Sequence, residues 1–184
     1  MMRSVSSFFA LAAFAAEAQG VQAFELQSPD IAEGKTIDMK HVYDSFGCTG
    51  GNLSPELSWS EPPAGTKSLA VLVHDPDAPT GGAGFWHWLV VDIPPDVRGL
   101  KRDAGHASGK NLPEGAKQLE TDFGDKAYGG PCPPPGKPHR YVFTVYALKT
   151  EKLGDAGHGR TAIAGFTINQ NALAKASITA LFGR

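Results

Sequence analysis

The sequence lacks an excess of charge of either sign: 17 Lys and Arg residues stand against 19 Asp and Glu residues, for a formal net charge of −2. A nucleic-acid-binding surface requires a basic stripe, so this balance argues against a nucleic-acid partner. It also gives no support to binding at an anionic membrane surface. The 184 residues contain no internal repeat and no long linker, and this length corresponds to one domain with a substantial core.

Long hydrophobic runs are also scarce, and the strongest lies at the N-terminus. Residues 1–23 begin with the basic Arg3, continue with an apolar run at 5–16, and end in the small-residue pattern Val21-Gln22-Ala23. This pattern predicts an export signal whose cleavage leaves a single domain at 24–184, in the periplasm or secreted. The run is too short to span a bilayer, and the alternative interpretation is a membrane anchor or a core helix. No later stretch reaches transmembrane length.

Cysteine is rare as well, with Cys48 and Cys132 the two in the sequence. Export to an oxidising compartment favours a disulfide between them. Such a bridge would close a long loop and restrict the unfolded chain. Two free thiols are the alternative, because bridging requires the two Cα atoms to lie close together.

Glycine and proline are abundant, with 22 and 14 residues, which favours many short strands joined by turns. Apolar and β-branched runs predict strands at 57–59, 68–74, 85–93 and 139–148, and an earlier strand or hairpin at 27–39. The glycine-rich segment 98–126 is expected to be irregular. Leu173, Ala176, Ala180 and Leu181 fall at helical spacing, which predicts a C-terminal helix over Asn169–Phe182. These elements are typical of a mainly β fold, an antiparallel sandwich.

Two carboxylates follow the predicted strand at 68–74. Asp75 and Asp77 would share one face if the strand continued, but Pro76 removes a backbone donor between them. We therefore expect one or both carboxylates at the mouth of the sheet. The alternative is a solvated turn, since Asp and Pro are ordinary turn residues.

Two histidines and a tyrosine lie in the other predicted strands. Period two places His87 on one face with Phe85, Leu89 and Val91. A proline-rich loop at 128–138 delivers His139 and Tyr141 onto one face of the strand at 139–148. The alternatives are a core histidine with a satisfied hydrogen bond and a purely structural loop.

Together these segments supply two imidazoles, two carboxylates and a phenol. They can form an anion site if at least one imidazole is protonated and the Tyr141 hydroxyl and backbone N–H groups donate hydrogen bonds. Two His and a carboxylate can also hold a metal, but short ligand spacings such as H-x-x-x-H are absent, and no cofactor is predicted.

A hydrolase is a further alternative, but the G-x-S-x-G motif is absent, and Cys132 is the nucleophile candidate beside His139.

The same residues occur in segments that resemble the phosphatidylethanolamine-binding (Raf kinase inhibitor-like) protein family, in its bacterial YbhB/YbcL-type branch. The matching segments, in order, are GCTGGNLSPELSW at 47–59, PAGTKS at 63–68, DPDAP at 75–79, FWHW at 85–88, TDFG at 121–124, GGPCPPPGKPHRY at 129–141 and YAL at 146–148. Their order and spacing extend over essentially all of residues 24–184.

This resemblance implies a fold of two antiparallel β-sheets in a Greek-key arrangement with short helices, one of them at the C-terminus. It also implies a small surface pocket that binds anions such as phosphate or a phosphoethanolamine head group. The pocket would be lined by Asp75, His87, His139 and Tyr141, with Asp77 beside them and the backbone of Gly130 and Pro131 in its rim.

The expected function is therefore that of an exported protein, not an enzyme, which binds a small anionic or phosphorylated group and regulates a partner protein. The alternative is a protein-interaction module such as a protease inhibitor, because some relatives in the family inhibit proteases. An exposed sheet edge would also allow a homodimer. Kinase inhibition is not part of the expected function, since an exported protein would not meet a cytosolic kinase.

Overall fold

The computed structural model describes residues 23–154 and 161–184. The predicted export signal at 1–23 therefore lies outside the described residues, except for Ala23. Within the described ranges, no helix combines the length and the hydropathy needed to cross a membrane. The described elements, in chain order, are β1 (Leu26–Gln27), a 3-10 turn (Met39–His41), β2 (Leu57–Trp59), β3 (Ser68–Asp75), β4 (Phe85–Ile93), β5 (Gly99–Leu100), β6 (Lys117–Gln118), β7 (His139–Leu148), α1 (Thr161–Asn171) and β8 (Ala172–Phe182).

A five-stranded antiparallel sheet forms the centre of the fold, with the strand order β6-β4-β3-β7-β8. Its strands β3 and β4 consist largely of buried apolar residues, because both faces of the sheet are covered there. The strands predicted at 68–74, 85–93 and 139–148 agree with β3, β4 and β7 to within one residue. Continuous hydrophobicity therefore identified the central strands correctly.

A smaller antiparallel sheet, β1-β2-β5, covers one face of the large sheet. The main hydrophobic core contains residues from both sheets, among them Leu57, Trp59, Leu100, Val71, Trp88 and Phe143. A second core lies on the opposite face of the large sheet, where α1 packs, and it includes Leu72, Leu89, Ala164 and Ile168. Two antiparallel sheets with little helix confirm the predicted fold class.

The predicted C-terminal helix over Asn169–Phe182 is wrong, because most of this segment is a strand. The helix α1 ends at Asn171, and β8 begins at Ala172. Strand β8 pairs with β7 along its length, and alternate residues pack against the main core: Ala174, Ala176, Ile178, Ala180 and Phe182. Alanine has little preference for strands, so pairing with β7 decides the structure of this segment.

Two weakly patterned segments contain little regular structure. The predicted strand or hairpin at 27–39 is reduced to β1 and an isolated bridge between Thr36 and Leu181. The segment 98–126 is irregular, as expected, apart from the two-residue strands β5 and β6.

A disulfide joins Cys48 and Cys132, whose Cα atoms lie 6.0 Å apart, as the sequence predicted. The bridge connects two residues separated by 84 positions in sequence. It ties the loop that follows the 3-10 turn to the proline-rich loop that precedes β7, and both loops border the candidate site.

Candidate functional site

A cavity of about 170 Å³ opens where β3 ends and where β4 and β7 begin. These strand termini meet because β3 pairs antiparallel with both β4 and β7. Four of the predicted site residues line the cavity: Asp75, His87, His139 and Tyr141. Its wall is completed by Phe46, Ala78, Pro79, Thr80, Phe85, Phe123, Cys132, Pro133 and Pro134.

Asp75 and His139 form a pair on the polar side of the cavity. Nδ1 of His139 lies 2.8 Å from Oδ2 of Asp75. The other carboxylate oxygen of Asp75 accepts the backbone N–H of Asp77 at 2.8 Å. A carboxylate only accepts, so Nδ1 of His139 is the donor and its Nε2 remains for a ligand.

An irregularity in β4 sets the direction of His87. Val73 pairs with Trp88 and His74 pairs with Trp86, so His87 is an extra residue between the two pairs. Phe85 and His87 both line the cavity, as period two predicted. Leu89 and Val91, however, belong to the core on the other face of the sheet. The prediction that these two share the face of His87 is therefore wrong, because a β-bulge shifts the alternation of side chains.

The ring of His87 is buried and hydrogen-bonded on one side. Its Nδ1 lies 2.7 Å from the carbonyl oxygen of Gly129, which can only accept, so Nδ1 carries the hydrogen. Burial lowers the pKa of His87 from 6.5 to about 4, because desolvation penalises the charged ring. Near neutral pH the ring is therefore neutral, and its Nε2 offers a lone pair rather than a hydrogen.

Tyr141 places a hydroxyl in the same cavity. The residue is 1% exposed, and among the described residues its hydroxyl has no hydrogen-bond partner. Burial raises the pKa of Tyr141, and the nearby Asp75 carboxylate adds to this effect although its geometry falls outside that of a normal hydrogen bond, so the hydroxyl keeps its proton. A buried hydroxyl without a partner costs free energy, which a ligand oxygen accepting its hydrogen would recover.

Asp77 lies beside the cavity and does not line it. Its carboxylate accepts hydrogen bonds from Nε and Nη2 of Arg140 at 2.9 and 2.7 Å, and from the Arg140 backbone N–H at 2.9 Å. These bonds lower the pKa of Asp77 to about 2. Asp77 therefore fastens the end of β3 to the start of β7, where it supports Asp75 through its own N–H.

The predicted rim residues Gly130 and Pro131 also lie outside the cavity. The N–H of Gly130 donates to the side-chain oxygen of Asn52 at 2.8 Å, and a Cβ on this glycine would lie 2.2 Å from the carbonyl oxygen of His41. The carbonyl of Pro131 accepts the N–H of Tyr43 at 3.1 Å. These two residues therefore pack the loop closely against its neighbour, and the wall comes from the residues that follow them: Cys132, Pro133 and Pro134.

An aromatic wall, which sequence reasoning did not identify, closes another side of the cavity. The ring centroid of Phe123 lies 4.8 Å from that of Phe85 and 5.2 Å from that of His87. Phe46 stands at the mouth with 69% exposure, and its ring lies 6.0 Å from Phe123. Phe123 follows an irregular segment, so no periodicity could place it. The TDFG match at 121–124 was its one signal.

A larger cavity of about 410 Å³ lies on the other side of Phe123. Its lining includes Asp44, Asp103, Asp125 and His106, and it contains none of the predicted site residues. Among residues 23–154 and 161–184, no group of three or more His, Cys, Asp or Glu side chains is placed to hold a metal ion. The geometry of this part of the chain gives the metal-site alternative no support.

Residues 27–183 match the sequence profile of the family described as phosphatidylethanolamine-binding protein. The chain belongs to this family. Among the family's bacterial members, YbcL of Escherichia coli (strain K12) is 49% identical over 179 residues, which cover 97% of this chain and 96% of YbcL. YbhB of the same organism is 46% identical over 160 residues, which cover 86% of this chain and 99% of YbhB.

Solved structures of family members agree with the fold. The crystal structure of E. coli YbcL, described as a new member of the mammalian PEBP family, matches with a TM-score of 0.84 and covers 88% of this chain and 98% of that chain. The protein CT736 from Chlamydia trachomatis, described as a homologue of phosphatidylethanolamine-binding proteins, matches with a TM-score of 0.73 at 29% identity and covers 88% of this chain and 98% of that chain.

Proposed function

We propose that this chain is an exported protein that binds a small anionic or phosphorylated group, such as phosphate or a phosphoethanolamine head group, in the 170 Å³ cavity. The observation that carries the proposal is the buried Tyr141 hydroxyl, which lacks a hydrogen-bond partner among the described residues. Within the same part of the chain, Nε2 of His87 and Nε2 of His139 have no protein partner either. The cavity is therefore lined by three polar atoms without protein partners, the Tyr141 hydroxyl oxygen and the two Nε2 atoms. Such a lining is typical of a site for a polar ligand and not of an empty packing void.

The size of the cavity favours a head group over a whole phospholipid. Pockets for drug-sized ligands measure roughly 300–1,000 Å³, and this cavity of about 170 Å³ is smaller. A phosphate with a short substituent fits such a volume, whereas acyl chains would remain outside. The apolar residues at the mouth, Phe46 and Pro134, would then contact the substituent.

Binding is favoured over catalysis by the state of the cysteines. Cys132, the nucleophile considered for a hydrolase, lines the cavity with its sulfur in the disulfide to Cys48. A nucleophilic cysteine acts as a thiolate, which a bridged sulfur is not. The Asp75–His139 pair therefore has no cysteine to activate, and it supports the orientation of a bound ligand instead.

Export is supported by three separate features. The pattern at 1–23 is typical of a cleaved signal, and a disulfide is expected to persist in an oxidising compartment. LppC of Mycobacterium tuberculosis, named as a candidate lipoprotein, is 36% identical over 132 residues, which cover 71% of this chain and 58% of LppC. N-terminal sequencing of protein from the periplasm is expected to start at Phe24, and protein that retains Met1 would contradict export by cleavage.

Isothermal titration calorimetry with phosphate and O-phosphoethanolamine at pH 6 tests the binding proposal. We expect saturable binding by the wild type and roughly 10- to 100-fold weaker binding by Tyr141→Phe, because a hydrogen bond to a charged acceptor contributes about 1.5–3 kcal/mol. The matched control His106→Gln changes a residue of the larger cavity and should bind as the wild type does. Folded wild-type protein that does not bind, or Tyr141→Phe that binds equally well, would contradict the proposal.

A further inference from the structure

His87 and Tyr141 pack edge to face, and both line the cavity. The ring centroids of His87 and Tyr141 lie 5.1 Å apart. Nδ1 of His87 donates to the Gly129 carbonyl, so the uncharged ring leaves Nε2 as an acceptor. The Tyr141 hydroxyl has a hydrogen to donate and makes no hydrogen bond of normal geometry among the described residues, although the Asp75 carboxylate lies near it. A ligand that satisfies both must itself carry an acceptor and a donor close together.

The charges around the cavity add a second constraint. None of its described lining residues is Lys or Arg, the side chains that usually compensate a doubly charged phosphate. The nearby guanidinium of Arg140 is already occupied by Asp77. The cavity instead contains the carboxylate of Asp75, whose side chain is 4% exposed. A dianion would meet this negative charge with no Lys or Arg among the described lining residues to compensate it.

We infer that the cavity selects phosphate monoesters in their singly protonated, monoanionic form, and discriminates against both phosphate dianions and phosphodiesters. The inference rests on the proposed function, because it specifies which phosphorylated group the cavity accepts. In the bound state, the P–OH of the monoester donates to Nε2 of His87, and a second phosphate oxygen accepts from the Tyr141 hydroxyl. A third phosphate oxygen can accept from Nε2 of His139 only when that ring is protonated, because Nδ1 already donates to Asp75.

A phosphodiester, the form of the phosphate in an intact phospholipid, has no P–OH to donate. It would leave Nε2 of His87 facing an anionic oxygen, unless the ring took up a proton. The buried position of the ring opposes this uptake, in keeping with its low pKa. The charged or titratable groups that face or act on this ring are Asp75 and His74 from β3, and Tyr141 and His139 from β7.

Calorimetry with two matched ligands tests the inference on the full wild-type protein. O-phosphoethanolamine is a monoester, and glycerophosphoethanolamine is a diester with the same ammonium group and the same phosphate as a lipid head group. We expect at least tenfold tighter binding of the monoester at pH 6. With a second phosphate pKa of about 6, the monoanion falls from half of the monoester at pH 6 to about one per cent at pH 8. Monoester affinity should therefore fall by about 50-fold, and diester affinity by much less.

His87→Gln is the variant that should remove this selectivity, because the Gln amide can donate as well as accept. We expect its preference for the monoester to shrink to about threefold or less, while His106→Gln keeps the wild-type preference. If His87→Gln does not fold, nitrogen NMR of the wild-type ring gives the same information. Nε2 of His87 should stay without a covalently bound hydrogen in the complex with O-phosphoethanolamine.

The outcomes separate the inference from the proposal on which it rests. Equal binding of monoester and diester at pH 6, or a complex in which Nε2 of His87 is protonated, would overturn the selectivity and leave the anion site in place. Absence of binding by either ligand to folded protein would overturn both.

Discussion

At the residue scale, the Tyr141 hydroxyl lies in the proposed site and makes no hydrogen bond to another described residue. Because its hydroxyl has no partner among the described residues, Tyr141→Phe removes an unsatisfied group without breaking a protein hydrogen bond. We expect this variant to be as stable as the wild type or more stable, by up to about 1 kcal/mol. Urea denaturation in phosphate-free buffer measures the change. A loss of more than about 1 kcal/mol would mean that the hydroxyl has a structural partner.

His87 makes the stability of the fold depend on pH. Its pKa is about 4 in the folded protein and 6.5 as an ordinary value, so the unfolded ring takes up a proton first as the pH falls. The unfolded state then binds more protons, and stability is lost progressively between pH 6.5 and pH 4. We expect a loss of about 2 kcal/mol from this residue between pH 7 and pH 5, since one pKa unit corresponds to about 1.4 kcal/mol.

Urea denaturation of the wild type and His87→Gln at pH 7 and pH 5 isolates this contribution. The wild type should lose more stability than the variant over this interval, and His106→Gln should behave as the wild type does. An equal loss in the wild type and His87→Gln would show that the buried ring does not control this pH dependence.

At the scale of elements, sequence patterns predicted the strands whose hydrophobicity is continuous and missed the one built from alanine. β3, β4 and β7 were predicted because their apolar runs report burial on both faces of the sheet. β8 was missed because Leu173 and Leu181 completed a helical pattern with Ala176 and Ala180, whereas in the strand the two leucines lie on the face opposite these alanines. Ten residues of β7 pair with β8, and such long-range contacts decide between the two interpretations.

Two truncations in β8 distinguish the strand from the helix that was predicted. Ile178 faces the main core with 8% exposure, whereas Leu173 is 44% exposed. We expect Ile178→Ala to destabilise the protein by about 2–4 kcal/mol, and Leu173→Ala by well under 1 kcal/mol. Thermal or urea denaturation of the pair measures this difference. A larger effect at Leu173 would support the helical alternative, in which Leu173 packs on the sheet.

The candidate site, like the strands, was predicted from the sequence only in part. The sequence placed Asp75, His87, His139 and Tyr141 in one pocket through family resemblance, and the fold brings these four together. It could not place Phe46 and Phe123, because loop residues have no periodicity to follow. Nor could it foresee the bulge that turns His87 toward the cavity, because a bulge depends on the register of the partner strand.

At the scale of the whole molecule, the disulfide links stability to the shape of the site. It closes a loop of 84 residues and holds Cys132 in the cavity wall. We expect the double variant Cys48→Ser, Cys132→Ser to lose about 2–4 kcal/mol of stability, because the unfolded chain regains the freedom of a long loop. Urea denaturation with and without dithiothreitol checks this, since the reductant should lower the stability of the wild type and leave the double variant unchanged. Insensitivity of the wild type to complete reduction would contradict the expectation.

At the same scale, the proposed anion site has one location, the cavity where β3 ends and where β4 and β7 begin. Amide and ring NMR shifts of isotope-labelled protein, followed during titration with O-phosphoethanolamine at pH 6, test that location most directly. We expect saturable shifts centred on Asp75, His87, His139 and Tyr141, with small changes at Asp103 and His106 in the larger cavity. Shifts centred on the larger cavity, or no saturable shifts, would contradict this location of the anion site.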